Sequence, residues 1–171
     1  MRRLPILFFA ALAAGCVFGG DEGTVEARTP ALLVLQPSDL PGFSIDASTG
    51  DGGRWRARYR RSRATGTTGP VAVDSTVEIW STSDAAEARF STAREELPES
   101  GGWQPIGEPG LGSESFASTR VVDGTRSYEV VWRDTNVTAW VSVRGREGEA
   151  PFAGALALAE KQEDRIDDAK R

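Results

Sequence analysis

The sequence predicts an α+β domain built on an antiparallel β-sheet, and three observations point there. Residues 54–63 and 71–80 each alternate apolar and polar side chains with period two, the spacing of half-buried strands. Asp123-Gly124, set between two further alternating runs, is two-residue hairpin chemistry. Ala86, Phe90, Ala93 and Leu97 recur at helical spacing between the two groups of strands. Strands that come in runs, without alternating with helices, pair antiparallel. The expected order is an N-terminal hairpin, a helix, a C-terminal meander and a last helix.

The chain of 171 residues carries a net charge of −5, no His and a single Cys. That composition excludes His-based triads, His-ligated metals and disulfide frameworks, and it argues against nucleic acid as a partner. Arg2 and Arg3 precede 11 largely apolar residues, 4–14, too few to span a bilayer. They end in Leu12-Ala13-Ala14-Gly15-Cys16, which resembles a bacterial lipobox. The resemblance implies cleavage after residue 15 and acylation of Cys16, and hence a lipid anchor on the extracytoplasmic side of a membrane, with palmitate-like chains. Two or more acyl chains, at about 0.8 kcal/mol per buried methylene, would hold it there firmly. Loss of Arg2 and Arg3 takes the net charge from −5 to −7. Residues 16–29, Gly-rich and acidic, read as the acylated Cys and a flexible tether.

The domain is expected over 30–171. Thr29-Pro30 suits a helix start for 31–35, and Pro37 stops it. A short strand is expected at 43–46 and a Gly/Ser/Asp loop at 47–53. In the next strand Trp55, Ala57 and Tyr59 share one face, and Arg54, Arg56, Arg58 and Arg60 the other. Val71, Val73, Val77 and Ile79 point inward from its hairpin partner. Asp84 and Glu87 resemble a capping box for the helix that Pro98 and Gly101-Gly102 end. A short strand at 103–106 follows. The Asp123-Gly124 turn would pair Val122 with Thr125, and counting on places Ala117, Val121, Tyr128, Val130, Trp132, Val137, Ala139, Val141 and Val143 on one face. Residues 152–159 are apolar all round and read as buried. From about 160 the helix is charged and reads as solvated, with only Ile166 pointing back.

Several local patterns resemble envelope lipoproteins of high-GC bacteria. Beside the lipobox they are Leu35-Gln36-Pro37-Ser38-Asp39-Leu40-Pro41-Gly42-Phe43, the helix start Asp84-Ala85-Ala86-Glu87-Ala88-Arg89-Phe90, residues 107–115 (GEPGLGSES), and Val130-Val131-Trp132-Arg133 leading to Asn136-Val137. The domain looks like the PsbP-like fold or the extracellular sensor domains of bacterial serine/threonine kinases. That resemblance implies a non-catalytic binding or accessory module and transfers no catalytic residue.

No chemical motif competes with that expectation. The glycines at 107–112 precede a strand where a phosphate loop would open a helix. Ser113 and Ser115 have no base near them in sequence. The carboxylates Glu160, Glu163, Asp164, Asp167 and Asp168 crowd one helix end without the glycine turn of a Ca²⁺ loop. No catalytic residue, metal ligand or cofactor is assigned.

Two surfaces remain as candidates. Six of the ten residues at 54–63 are Arg. Either the neighbouring strand neutralises them, pairing Arg60 with Asp74, Arg56 with Glu78 and Arg54 with Trp80, or they form an anion site for an acidic polymer, an anionic lipid or an acidic envelope protein, with Arg58 and Arg63 left free. The second is aromatic: Phe116, Val131 and Trp140, beside Ser127, Glu129 and Ser142, lie on the reverse face of the meander, with Trp80 nearby on the hairpin. Either a terminal helix covers them or they are a partner surface. The functional expectation is a membrane-tethered binding module. A lipid or small-molecule carrier needs more aliphatic lining than the 30 Leu, Ile, Val and Phe of residues 16–171 supply beyond a core, and a carboxylate hydrolase needs two acids converging in a cleft.

Overall fold

Alternation along each strand decides which side chains meet, and the computed structural model shows the result for residues 24–25, 29–61, 68–99 and 101–170. Seven strands form one antiparallel sheet: β1 (Phe43–Asp51), β2 (Arg54–Arg61), β3 (Pro70–Ile79), β4 (Gln104–Gly107), β5 (Glu114–Val122), β6 (Thr125–Asp134) and β7 (Val137–Arg146). Their order across the sheet is β1-β2-β3-β7-β6-β5-β4. The chain therefore builds two meanders, and the β3–β7 pair joins them at the centre. The helices are α1 (Pro30–Leu33), α2 (Ser83–Glu99) and α3 (Phe152–Ala169), with a 3-10 turn at Pro37–Asp39. The architecture is the α+β one that the sequence predicts.

One face of the sheet is apolar. Register stacks Trp55, Val77, Ala139 and Trp132 in one cross-strand row and Tyr59, Val73, Val143 and Tyr128 in another. The row between them reads Ala57, Ser75, Val141, Val130 and Ala117. α1 and α3 close this face, burying Leu33, Ala155, Ala159 and Ile166 against it. The meander face inferred from the Asp123-Gly124 turn is correct except at Val121, which stays exposed near the hairpin tip. Asp123 and Gly124 both take positive φ, 49° and 67°, as that tight turn requires.

Ser75 is the one polar residue in the middle row, and the chain satisfies it from two sides. Its Oγ accepts from the Leu35 N–H at 2.9 Å and donates to Gln162 Oε1 at 2.6 Å. The Gln162 amide donates onward to the Thr76 carbonyl at 2.9 Å, and the Tyr59 hydroxyl donates to the Leu35 carbonyl. Arg165 reaches Asp39 at 2.9 Å. Residues 33–40 are thereby pinned between the sheet and α3 by hydrogen bonds shielded from water.

Several expectations need correction. The predicted loop at 47–53 is strand: β1 runs to Asp51 with a bulge between Ile45 and Ala47, and only Gly52-Gly53 turn. As an edge strand it buries almost nothing, so its sequence carries no alternation to read. The cap of α2 is Thr82, whose Oγ1 accepts from the Ala85 N–H at 3.2 Å, and the helix runs on through Pro98. At the start of α3, Ala153 and Ala157 are exposed. Its charged end is anchored as well as solvated. Gln162 and Glu163 are buried beside Ile166, Lys170 bridges Asp134 and Asp167, and Glu163 accepts from the Trp132 indole. The structure also extends the domain toward the N-terminus: Val25, within the stretch read as tether, is buried. Asn136 grips it by accepting from its N–H at 2.9 Å and donating to its carbonyl at 3.0 Å.

Burial, with Asp134 beside it, pushes the Glu163 carboxyl up to about 7, against the Trp132 hydrogen bond. A carboxyl raised in the folded state favours folding fully below its unfolded value of 4.5, and that contribution is lost as pH rises through about 7. Glu163→Gln keeps an oxygen for the Trp132 indole and cannot ionise. Its melting temperature should exceed that of the unaltered protein by roughly 4 °C at pH 8, with the gap closing toward pH 5, as read by scanning calorimetry.

Candidate functional site

The reverse face of the same sheet is polar at one side and aromatic at the other. Its rows read Arg54, Glu78, Thr138, Arg133; then Arg56, Thr76, Trp140, Val131, Phe116; then Arg58, Asp74, Ser142, Glu129, Ser118; and last Arg60, Ala72, Arg144, Ser127, Arg120. A single helix lies on this face. α2 packs Phe90, Ala93 and Leu97 on Phe116, Val131 and Trp140, with the Phe90 and Phe116 rings 5.5 Å apart, edge to face. The 17-residue helix is too narrow to cover the rest, and a groove of about 340 Å³ remains beside it.

The aromatic candidates are therefore not an open partner surface. Phe116 is buried, and the helix over it is α2 rather than the terminal one, because α3 is occupied on the opposite face. Trp140 is half-buried with the Arg89 guanidinium 4.9 Å over its ring. Trp80, also half-buried, donates its indole N–H to Thr138 Oγ1 at 2.7 Å.

The Arg row does face the groove, but its pairing differs from the expected one by two residues. Asp74 lies opposite Arg58, Glu78 opposite Arg54, and Thr76 opposite Arg56. A slip of two residues keeps every side chain on its face, so burial patterning alone cannot distinguish the registers. Arg58, expected to be free, donates from Nε to Asp74 at 2.8 Å. Arg56 and Arg144 reach the same carboxylate at 2.9 Å each. Glu78 takes Arg54 at 3.0 Å and Arg89, from α2, at 3.1 Å. Arg60, expected on Asp74, pairs with Asp46 of β1 at 2.8 Å. Arg63 lies outside the described residues.

Both carboxylates are buried while their partners are partly exposed. Burial pulls the Asp74 carboxyl upward. The hydrogen bond from Arg58 and the charge and hydrogen bond of Arg56 outweigh that pull and hold it below the ordinary carboxylate range. Glu129 behaves in the opposite way. Burial pushes its carboxyl up to about 7 against a hydrogen bond from Ser142; Asp74 adds to the rise, while Arg120 and Arg144 oppose it. A groove without a perturbed acid is what a pure binding surface leads one to expect, and Glu129 departs from that.

The sequence pointed to Ser127, Glu129 and Ser142 only as neighbours of the aromatic face. It did not point to Arg89, Trp103, Arg120 or Arg144. The last two share strand parity with Ser127, which is a readable signal; Arg89 and Trp103 arrive from α2 and the segment after it, and no strand pattern reports them. Elsewhere, carboxylate oxygens of Asp134, Glu163 and Asp167 lie within 4.8 Å of one another, a spacing that a cation can bridge, and the chain places the Lys170 ammonium on two of them.

The fold resembles a solved structure, the extracellular domain of PknH from Mycobacterium tuberculosis, with a TM-score of 0.57 at 12% identity over 86% of this chain and 97% of that one. This shows a shared fold. No family model and no curated protein matches the sequence. Among the described residues, no helix is long and apolar enough to cross a membrane.

Asp74 is the single countercharge for three guanidiniums. Asp74→Asn should cost about 2 kcal/mol in urea unfolding at low salt, with part of the loss recovered in 0.5 M sodium sulfate as anions settle among the arginines. A loss below a few tenths of a kcal/mol would show the cluster to be solvated and independent.

Proposed function

We propose that the chain is a lipid-anchored, extracytoplasmic lipoprotein whose domain binds a small polar anion in the groove beside α2, without transforming it. The observation that carries this reading is the charge of the groove. Six arginines line it against three carboxyls, in a chain whose net charge is −5. A concave site that concentrates one sign of charge against the sign of the whole chain favours ligands of the opposite sign. The lipobox supports the anchor, and the extracytoplasmic placement gains support from the extracellular domain that shares the fold.

Glu129 is the one observation that favours a carboxylate hydrolase, since an acid near 7 suits proton transfer. That chemistry needs a second carboxylate at liberty, and the other two in the groove are held by three and two guanidiniums. The polar lining likewise favours a hydrated anion over a lipid tail.

Two measurements test the two halves of the proposal. Cys16→Ser should abolish palmitate labelling and move the protein from the membrane to the soluble fraction; retained label refutes the anchor. Thr76 stands in the middle of the groove, so Thr76→Trp should fill it. Calorimetric titration of the full-length protein in detergent should show pyrophosphate and citrate binding, weakened at least tenfold by Thr76→Trp and by 0.5 M salt, and no binding of spermidine. Equal affinity of the filled variant would place the anion elsewhere.

A further inference from the structure

The groove's arginines are not equivalent. Five of the six are committed to carboxylates: Arg54 and Arg89 to Glu78, and Arg56, Arg58 and Arg144 to Asp74. A guanidinium that already neutralises a buried carboxylate has little charge left for a ligand, and pulling it away would leave that carboxylate unpaired. Arg120 alone has no ion-pair partner among the described residues. Its guanidinium lies 4.5 Å over the Trp103 ring, which shields it from water without satisfying its N–H groups.

The strands bring further donors to the same end. Arg120 lies opposite Ser127, and Ser127 opposite Arg144. Ser127 is buried and lines the groove. Glu129, two residues along on the same face, is opposite Ser142, and burial pushes its carboxyl up to about 7, which brings the protonated form within reach of neutral pH. A protonated carboxyl is a donor where a carboxylate would repel an anion.

We propose that this end of the groove, built from Arg120, Ser127 and Glu129 against Trp103, is the anchor for the phosphate of a soluble phosphate monoester. The inference rests on the groove being the binding site and names its ligand. The guanidinium edge, a hydroxyl and a protonated carboxyl offer donors from three directions, which suits the three terminal oxygens of a monoester better than the two of a carboxylate. The rest of the groove holds the organic body, along Ser142 and Trp140. A phospholipid headgroup presents the same chemistry. However, Val25, in the first described stretch of the chain, is clamped at Asn136, beside the start of β7, whereas Arg144 lies seven residues along that strand, about 23 Å away. The anchor stands toward the opposite end of β7 from Val25, which favours a soluble ligand.

The affinity is pH-dependent in a stated direction. Asp74 on β3, Arg144 and Ser142 on β7, Arg120 on β5, and Arg89 and Glu96 on α2 surround Glu129 or the recess it lines. As pH rises through about 7, Glu129 loses its proton and opposes the ligand.

The test uses the full-length protein in detergent, titrated calorimetrically with glycerol 3-phosphate and, separately, with vesicles of phosphatidylcholine containing phosphatidic acid. Arg120→Met keeps the apolar stem on Trp103 and should weaken glycerol 3-phosphate binding about 10- to 100-fold, with Arg120→Lys recovering part of it. Both variants should melt within a few degrees of the unaltered protein, which separates loss of the anchor from loss of the fold. Glu129→Gln should abolish the difference between the affinities at pH 6 and pH 8 that remains after the ligand's own titration, common to both proteins, is subtracted. Unchanged binding by Arg120→Met, with Thr76→Trp still deficient, overturns the anchor and leaves the groove reading standing. Binding to the phosphatidic acid vesicles alone overturns the soluble ligand, and binding to neither overturns the phosphate.

Discussion

Asp74 holds the reverse face of the sheet together. It is a buried carboxylate at the middle of three strands, and it accepts from Arg58 and Arg56 on β2 and from Arg144 on β7. Without it, guanidiniums from both flanking strands would face one another across β3 in a partly dehydrated groove. With it, all three guanidiniums converge on one carboxylate. Glu78 repeats the device four residues along β3 and extends it to α2 through Arg89. The row of arginines in β2 is thus a structural ladder first, and its surplus charge is what gives the groove its sign.

The groove exists because the sheet is wider than the helix laid on it. On the opposite face, α1 and α3 together cover the apolar rows, and the one polar intruder, Ser75, is absorbed by Leu35 and Gln162. On the reverse face α2 covers only the aromatic side, where Phe90 and Phe116 meet. The residues left bare are placed by strand pairing, and their side chains are held by ion pairs to Asp74 and Glu78 rather than by apolar packing. A site built on central strands keeps its geometry when loops move. Arg89 and Trp140 belong to both the aromatic core and the groove, so α2 sets the position of one groove wall.

Sequence patterning reported the faces well and the partners poorly. The period-two runs at β2, β3 and the meander told which residues share a face, because a half-buried strand cannot hide its alternation. They did not fix which Arg meets Asp74, since a two-residue slip leaves the pattern unchanged and loop length decides it. β1 went unread beyond its first residues for the same physical reason: an exposed edge strand of Ser, Thr, Ala and Gly has no apolar face to betray it. Gln162 and Glu163 looked solvated because a polar residue announces nothing about a buried partner, and Ser75, Trp132 and Asp134 are 87, 31 and 29 positions away in sequence. The groove was half legible. Its Arg wall and the Ser127, Glu129 and Ser142 positions follow from parity, whereas Trp103 and Arg89 depend on how α2 lands.

The state of Glu129 determines which chemistry the groove supports. An acid with a raised pKa in a cleft is a common mark of catalysis, yet a general acid acts only with something to complete the reaction, a nucleophile or a base with electrons to give. Among the described residues that line the groove, the hydroxyls of Ser127 and Ser142 have no imidazole or amine beside them, and Asp74 and Glu78 are paired with guanidiniums. What the surroundings do supply is donors: Arg120 beside Glu129, and two serines on the same face. A proton held on Glu129 changes the sign of its interaction with an incoming oxyanion and leaves every covalent bond alone. On the proposed reading the perturbed acid belongs with recognition, and occupancy of the groove by an anion falls as pH rises through about 7.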